Sequence, residues 1–484
     1  MGDKMRATIS RQTLIAAIVW GIIAGAEYIY MSSTTWEMRS IITVSIIAIV
    51  NIMLQLGTLK CLKLPFISFF SALLMFLYLF HFGQVFITAF FNDVEFKVAN
   101  YLDHYATNKV LAWKTIEISL ICINCIFIGG ILSSNKSFFE KSHYDIDKSE
   151  KIDRSTLSYR ICYYMGRVLI VMSLPFRLYI DIRQLITAAK HGYVGVYSLA
   201  SFSGVFSAIA GFFYIAIALI YLTTENKKHK KLHIYVSMAY ITITMLTGNR
   251  GHQVINIIGI LLVIYIDSGV KISVKKVLLY FIVGFFSLTF LDMIFNVRHD
   301  GIDYFLHNFS DILKGTMKKN IFLETINNFG STVFTPYIVL EKYGNTLNPF
   351  FGEAFIKSFA SVVPDIGGVF RNINREAIYS QVLNSPHQIG GSLVGEFYYN
   401  FGQLYWIAGL VFGFVYHRVS SKIYVALKSK QYSVVCYTLP FAVYSLWWVR
   451  DTIGGVTRSV VWLLIIYALV KAEVTKRSKI IPEE

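Results

Sequence analysis

Residues 13–31 read TLIAAIVWGIIAGAEYIYM, nineteen residues with one charged side chain, Glu27. A helix rising about 1.5 Å per residue crosses the roughly 30 Å hydrocarbon core of a bilayer in about that many residues. Further along the chain the pattern recurs. Candidate spans cover 13–31, 40–57, 64–91, 110–133, 159–180, 200–222, 232–248, 252–267, 277–295, 402–417, 432–448 and 457–471. The stretch 252–267 is among the shortest of them. Ala24-Gly25-Ala26 imitates a signal-peptidase site, but Glu27 follows at once and the stretch is long enough to span, which favours an uncleaved first helix.

Composition agrees. Of 484 residues, 55% are hydrophobic, 16% aromatic and only 15% charged. A soluble domain carries about a quarter charged residues, so this chain has too few to cover a water-facing surface. The expected fold is all-α, a single polytopic transmembrane domain over 1–484 with about twelve transmembrane helices. The net charge of +16 does not point to nucleic acid, because it is spread through short loops. Lys and Arg gather around residues 4–11, 60–63, 136–154, 227–231, 271–276, 418–430 and 471–479, alternating with poorer loops. By the positive-inside rule those loops are cytoplasmic, 134–158 among them, and both termini lie inside. The expected location is a bacterial cytoplasmic (inner) membrane. The five cysteines fall in or beside apolar runs without metal-ligand spacing and are expected as free thiols.

One outer segment is long. Residues 296–390 mix aromatic and apolar residues with Gly, Asn and charge, as in FLHNFSDILKGTMKKNIFLETINNFG (305–330). That pattern suits short amphipathic helices in a large periplasmic or extracellular loop. No internal repeat relates the two halves of the chain, which gives no support to an inverted-repeat transporter.

Outer arginines run against the positive-inside trend. Arg250 lies in TGNRGH, Arg298 and His299 in FNVRHDG, and Arg450 and Arg458 bracket the turn in WVRDTIGGVTRS. Arg177 and Arg183 flank the outer end of the fifth span. Guanidinium groups fork onto phosphate oxygens and stay charged, so such a set suits a pyrophosphate, each charge-assisted bond contributing roughly 1.5–3 kcal/mol. Singly, each arginine also fits snorkelling to lipid headgroups.

A second constellation is PHQIGGSLVGEFYYNFG, residues 386–402. Gly390 and Gly391 precede Ser392, a good N-cap, so a helix is expected to start there. Ser392, Glu396 and Asn400 recur at four-residue spacing on one face. A polar stripe beside a helix N-terminus and a glycine turn suits a sugar or phosphate, and either His387 or Glu396 qualifies as general base toward a sugar hydroxyl. The plainer reading is a capped helix whose stripe packs in the bundle. Lys114 and Glu117 are spaced as an ion pair, and His81 and Glu27 are ionisable groups at membrane depth that bond within the bundle or serve function. GYVGVYS (192–198) lacks a following Lys-Ser/Thr and is not a P-loop, and no carboxylate cluster suggests a metal.

The TGNRG turn, the large outer loop and above all GGSLVGEFYYNFG resemble Wzy-type O-antigen and capsule repeat-unit polymerases. The architecture resembles them over most of the chain, the motifs mainly from about residue 245 to 460. The resemblance implies a membrane-embedded glycosyltransferase with no cofactor and no nucleotide sugar. It would use undecaprenyl-pyrophosphate-linked oligosaccharides as donor and acceptor at the outer leaflet, with membrane lipid around it and a chain-length regulator as a candidate partner. It also implies that Arg250, Arg298, Arg450 and Arg458 bind pyrophosphate, whereas His387 or Glu396 as base, and Gly390, Gly391, Ser392 and Asn400 as the groups shaping the sugar site, come from the residues alone. A lipid-linked oligosaccharide flippase, an O-antigen ligase and a secondary transporter are the rival readings.

Overall fold

A computed structural model describes residues 10–94, 100–134, 154–198, 204–245, 250–269, 306–317, 320–342, 351–363 and 390–480, with positions 289, 293 and 304. All regular structure among them is helical. From the N-terminus the helices are α1 (Arg11–Ser33), α2 (Met38–Cys61), α3 (Phe69–Phe90), α4 (Tyr101–His104), α5 (Lys109–Leu132) and α6 (Leu157–Ser198). Then come α7 (Gly204–Thr223), α8 (Lys227–Met245), α9 (Arg250–Ser268), α10 (Phe309–Met317), α11 (Ile321–Gly330) and α12 (Phe334–Lys342). The last are α13 (Glu353–Ala360), α14 (Leu393–Phe401), α15 (Tyr405–Lys428), α16 (Tyr432–Trp448) and α17 (Ile453–Ile480).

Seven of these, α1, α2, α3, α5, α6, α7 and α17, are long and apolar enough to cross a membrane. The protein is a multi-pass membrane protein. The expected spans at 232–248, 252–267, 402–417 and 432–448 appear as α8, α9, α15 and α16, which are shorter or more polar. The span at 277–295 lies almost wholly outside the described residues. The fifth span runs on well past its expected end at 180, in a helix of 42 residues. Arg177 and Arg183, read from sequence as flanking the outer end of this span, lie within the helix, and Arg177 pairs with Asp181 along it: Nε and Nη2 donate to the two carboxylate oxygens at 2.7 and 2.5 Å. Arg177 is thus engaged internally. Within 296–390, the described helices α10 to α13 are short, as expected. In α13, Ile356 and Phe359 face outward while Ser358 is buried, the two-faced pattern of an amphipathic helix.

The helices gather into two compact units. The first comprises Met1–Lys151, Asn327–Ser429 and Tyr444–Arg458. Its centre is α5, almost entirely buried, with α15, α1 and α3 packed around it. The pairing of α5 with α15 depends on missing side chains. A Cβ on Gly129 would stand 1.9 Å from the Leu410 carbonyl oxygen, and one on Gly413 would stand 1.9 Å from that of Ile126. Gly409 and Gly413 form the small-xxx-small spacing that lets membrane helices touch backbone to backbone, where dispersion replaces the hydrophobic driving force. The Lys114–Glu117 pair expected on α5 is present at 2.5 Å.

The second unit comprises Ile152–Ile326, Lys430–Val443 and Ser459–Glu484. Here α6 lies along α7. Asp267 accepts from Lys230 Nζ at 3.2 Å, Lys430 Nζ at 2.8 Å and the Tyr432 hydroxyl at 3.0 Å, tying α8, α9 and the start of α16 together. A buried carboxylate shared by two ammonium groups and a phenol has its lone pairs filled, the condition for tolerating a buried charge.

Candidate active site

The site is built around the segment that the sequence singles out. Ser392 caps α14, its Oγ accepting from Gly395 N–H at 3.1 Å, where the glycine pair and serine predict a helix start. Ser392, Glu396 and Asn400 lie on one face, and all three are buried. The stripe therefore faces into the unit, and its partners reveal what it does there.

Ser392 Oγ lies 2.9 Å from His81 Nε2, and His81 Nδ1 lies 3.0 Å from the Leu77 carbonyl oxygen. A carbonyl only accepts, so Nδ1 carries the hydrogen. In the neutral ring Nε2 is then the acceptor and the serine hydroxyl the donor. His81, an ionisable group at membrane depth, thus fixes the cap of α14. Asn400 Nδ2 donates to the Glu396 carbonyl at 2.9 Å, securing the last turn of the same helix.

Glu396 reaches across to the following turn. Trp448 Nε1–H donates to its Oε2, and the backbone N–H of Ile453 donates to both carboxylate oxygens at 3.1 Å. Ile453 is the first residue of α17, so the carboxylate sits on the positive end of a helix. One side chain thereby holds both ends of the turn Val449–Thr452, which carries Arg450. Nine residues long, α14 is not among the spanning helices. Desolvation pushes the Glu396 carboxyl up to about 8, with the bonds from Trp448 and Ile453 pulling the other way and the charge of Asp451 adding to the rise.

The glycine turn explains why two glycines stand here. A Cβ on Gly391 would meet the Asp451 carbonyl oxygen at 2.2 Å, and one on Gly390 would meet the Arg450 carbonyl oxygen at 3.1 Å. The two segments touch through backbone, with the Arg450 side chain against Gly390. The guanidinium carbon of Arg450 is 5.9 Å from the Phe80 ring centroid, and the Gly390 carbonyl accepts from Thr335 Oγ1 at 2.9 Å. On the other side, Arg458 Nε donates to the Ser361 carbonyl, while Ser361 Oγ donates to the Gly454 carbonyl at 2.9 Å. These bonds dock the end of α13 onto the start of α17.

Seven of the ten residues marked from sequence, Gly390, Gly391, Ser392, Glu396, Asn400, Arg450 and Arg458, therefore belong to the first unit and to one neighbourhood of it. Arg250 opens α9 in the second unit, and its side chain lies outside what the structure describes. His387 and Arg298 lie outside the described residues. The sequence reading missed Trp448 and Ser361 as partners and His81 as the cap's anchor. An indole N–H two residues before Arg450 was a usable signal, because a buried tryptophan seeks an acceptor. Among the described residues no group of three His, Cys, Asp or Glu is placed to hold a metal.

Apolar helices able to cross a bilayer, with polar groups gathered on one short buried helix and the arginine-bearing turn beside it, define a multi-pass membrane protein with an internal polar site. The family model for O-antigen polysaccharide polymerase Wzy matches residues 13–476, and the chain belongs to that family. Its activity is polymerisation of O-antigen repeat units, a glycosyl transfer acting on lipid-linked repeat units. No curated protein and no solved structure matches the chain.

Proposed function

We propose that this protein moves a growing chain from one undecaprenyl-pyrophosphate carrier onto the non-reducing end of a new lipid-linked repeat unit. The reaction takes place at the outer leaflet of a bacterial inner membrane, with both termini in the cytoplasm. The acceptor hydroxyl oxygen bonds to the anomeric carbon, the bond from that carbon to the pyrophosphate oxygen breaks, and the hydroxyl proton passes to a protein base. Undecaprenyl pyrophosphate leaves, its developing charge met by arginine in a poorly hydrated site.

The observation that carries this reading is the packing of Arg450 against the Gly390–Gly391 turn, beside the buried polar face of α14. It sets an arginine, a side chain suited to phosphate, beside the segment read from sequence as the sugar site, which supports the reading. We assign the proton to His387, three residues before Gly390 in the sequence, while Glu396 holds the turn of Arg450 in register. The family resemblance makes Arg250, Arg298 and Arg458 further candidates for pyrophosphate binding.

Lipopolysaccharide from a strain lacking the protein tests the reading. Single repeat units on the core, restored to a ladder by the wild-type gene, are the expected result. Complete absence of repeat units would mark a ligase or flippase instead. Orientation has its own check. A cysteine placed at position 345 is expected to react with an impermeant thiol reagent in intact spheroplasts, and one at 145 is not. The reverse pattern would remove the outer-leaflet chemistry.

A further inference from the structure

Helix α13 has three distinct faces. The inner one is docked. Phe355 packs on the rings of Phe397, Phe401 and Trp448 with centroids 6.3, 5.6 and 5.7 Å away, and Ser358 Oγ lies 2.9 Å from Thr457 Oγ1. A charged edge follows, where Lys357 Nζ pairs with Glu353 at 2.7 Å. The third face is apolar and exposed. With 3.6 residues per turn, Ile356, Phe359 and Val363, the last just past the helix end, fall within about 60° of one another. They are 73, 62 and 47% exposed, and Phe351, just before the helix, is 78% exposed.

The anchors of α13 give its depth. At its N-terminal end, the Gly352 N–H donates to the Asn400 carbonyl at 3.2 Å, just ahead of α15 and its apolar run WIAGLVFGFV (406–415). At its C-terminal end, Ser361 bonds to Gly454 and Arg458, just ahead of VVWLLIIYALV (460–470) in the spanning helix α17. Eight residues of helix cover only about 12 Å, so the two apolar runs begin close together and α13 lies where they begin. That is the border between water and hydrocarbon. The start of α15 also exposes Leu404, Trp406 and Ile407, and tryptophan at the end of an apolar run is an anchor of the same border. A helix with an apolar face and a charged edge comes to rest at that depth, with lipid against its apolar side.

We propose that α13 is an interfacial helix whose ridge of Ile356, Phe359 and Val363 inserts among the acyl chains of phospholipid, in the leaflet where α15 and α17 begin. Glu353 and Lys357 then stand at headgroup level, on the water side. The contact goes beyond the reaction proposed above and does not depend on it. Through the bonds of Ser361 with Gly454 and Arg458, it sets the depth of the first turns of α17 in the bilayer.

The test uses full-length protein carrying Cys61→Ser, which removes the exposed native thiol and leaves the four buried ones. Single cysteines, Glu353→Cys, Ile356→Cys or Phe359→Cys, take a nitroxide label, and each protein is placed in phosphatidylethanolamine–phosphatidylglycerol nanodiscs at one chain per disc. Molecular oxygen concentrates in hydrocarbon and a neutral nickel chelate in water. Oxygen is expected to relax the labels at 356 and 359 several-fold more than the chelate does, with the order reversed at 353. Chelate access at 356 and 359 equal to that at 353 would put the ridge in water and overturn the proposal. Poor access of both reagents would mean that protein covers the ridge, which overturns it equally. All three positions are on the surface, away from the docked face, and Val363→Cys carries the same test should one labelled variant fail to fold.

Discussion

Arg450→Ala is expected to abolish polymer while leaving the protein in the membrane, read as loss of the lipopolysaccharide ladder against an unchanged immunoblot. The guanidinium belongs to a turn fixed at both ends by Glu396, so it needs little reorganisation when charge develops on a leaving pyrophosphate. Removing one such preorganised donor typically costs about 10²–10³ in rate. Arg250→Ala is expected to fail likewise. Lysine should rescue either position only in part, because an ammonium cannot fork onto two oxygens. Gly391→Ala offers a second route to the same loss. Its Cβ would lie 2.2 Å from the Asp451 carbonyl oxygen, a backbone atom that cannot swing away, so the arginine turn must shift. Gly390→Ala, at 3.1 Å, should be milder. Near-normal ladders from both arginine variants would leave attachment to lipid headgroups as the better account of these side chains.

The second large effect concerns the base. Purified His387→Ala is expected to lose roughly 10²–10⁴-fold in turnover and to retain lipid-linked substrate. Glu396→Gln should cost less, because both its oxygens are already occupied by Trp448 and Ile453 and its work is to hold a turn. The pH profile separates the assignments. A histidine base must be neutral, so the rate should rise through the ordinary histidine range and this limb should persist in Glu396→Gln. A rate that instead rises through about 8, and loses that limb in Glu396→Gln, would make Glu396 the base. Wild-type turnover from both variants would move the base elsewhere, to His299 or Asp300 beside Arg298.

Much of the architecture was legible because apolar length is a local property. Helices α1, α2, α3 and α5 begin and end close to the limits that hydropathy alone predicts. Charges that pair along a helix were harder to read: Arg177 and Arg183 look like the flank of a span, yet Arg177 is neutralised by Asp181 inside α6. At the candidate site, the start of α14 could be read from Gly390, Gly391 and Ser392, since capping and close approach are encoded within a few residues. The partners of the stripe could not. His81 meets Ser392 across 311 positions and Trp448 meets Glu396 across 52, and neither spacing leaves a periodic trace. The sequence placed Ser392 and Glu396 on one face, and its plainer reading, a stripe packed in the bundle, matches their burial; only the partners were hidden.

The seam between α5 and α15 has a consequence for accuracy. Where the Leu410 carbonyl stands against Gly129, no rotamer is available to absorb a displacement, so the two backbones act as a hard stop. Helix α14 joins α15 through the short turn Gly402–Leu404, so an error at the stop is carried to Ser392 and Glu396 with little to damp it. Group transfer tolerates misplacement of well under an ångström before the rate falls steeply. Under the proposed function, the glycines at 129, 409 and 413, by omitting a side chain, fix how closely α15 and the site attached to it approach α5.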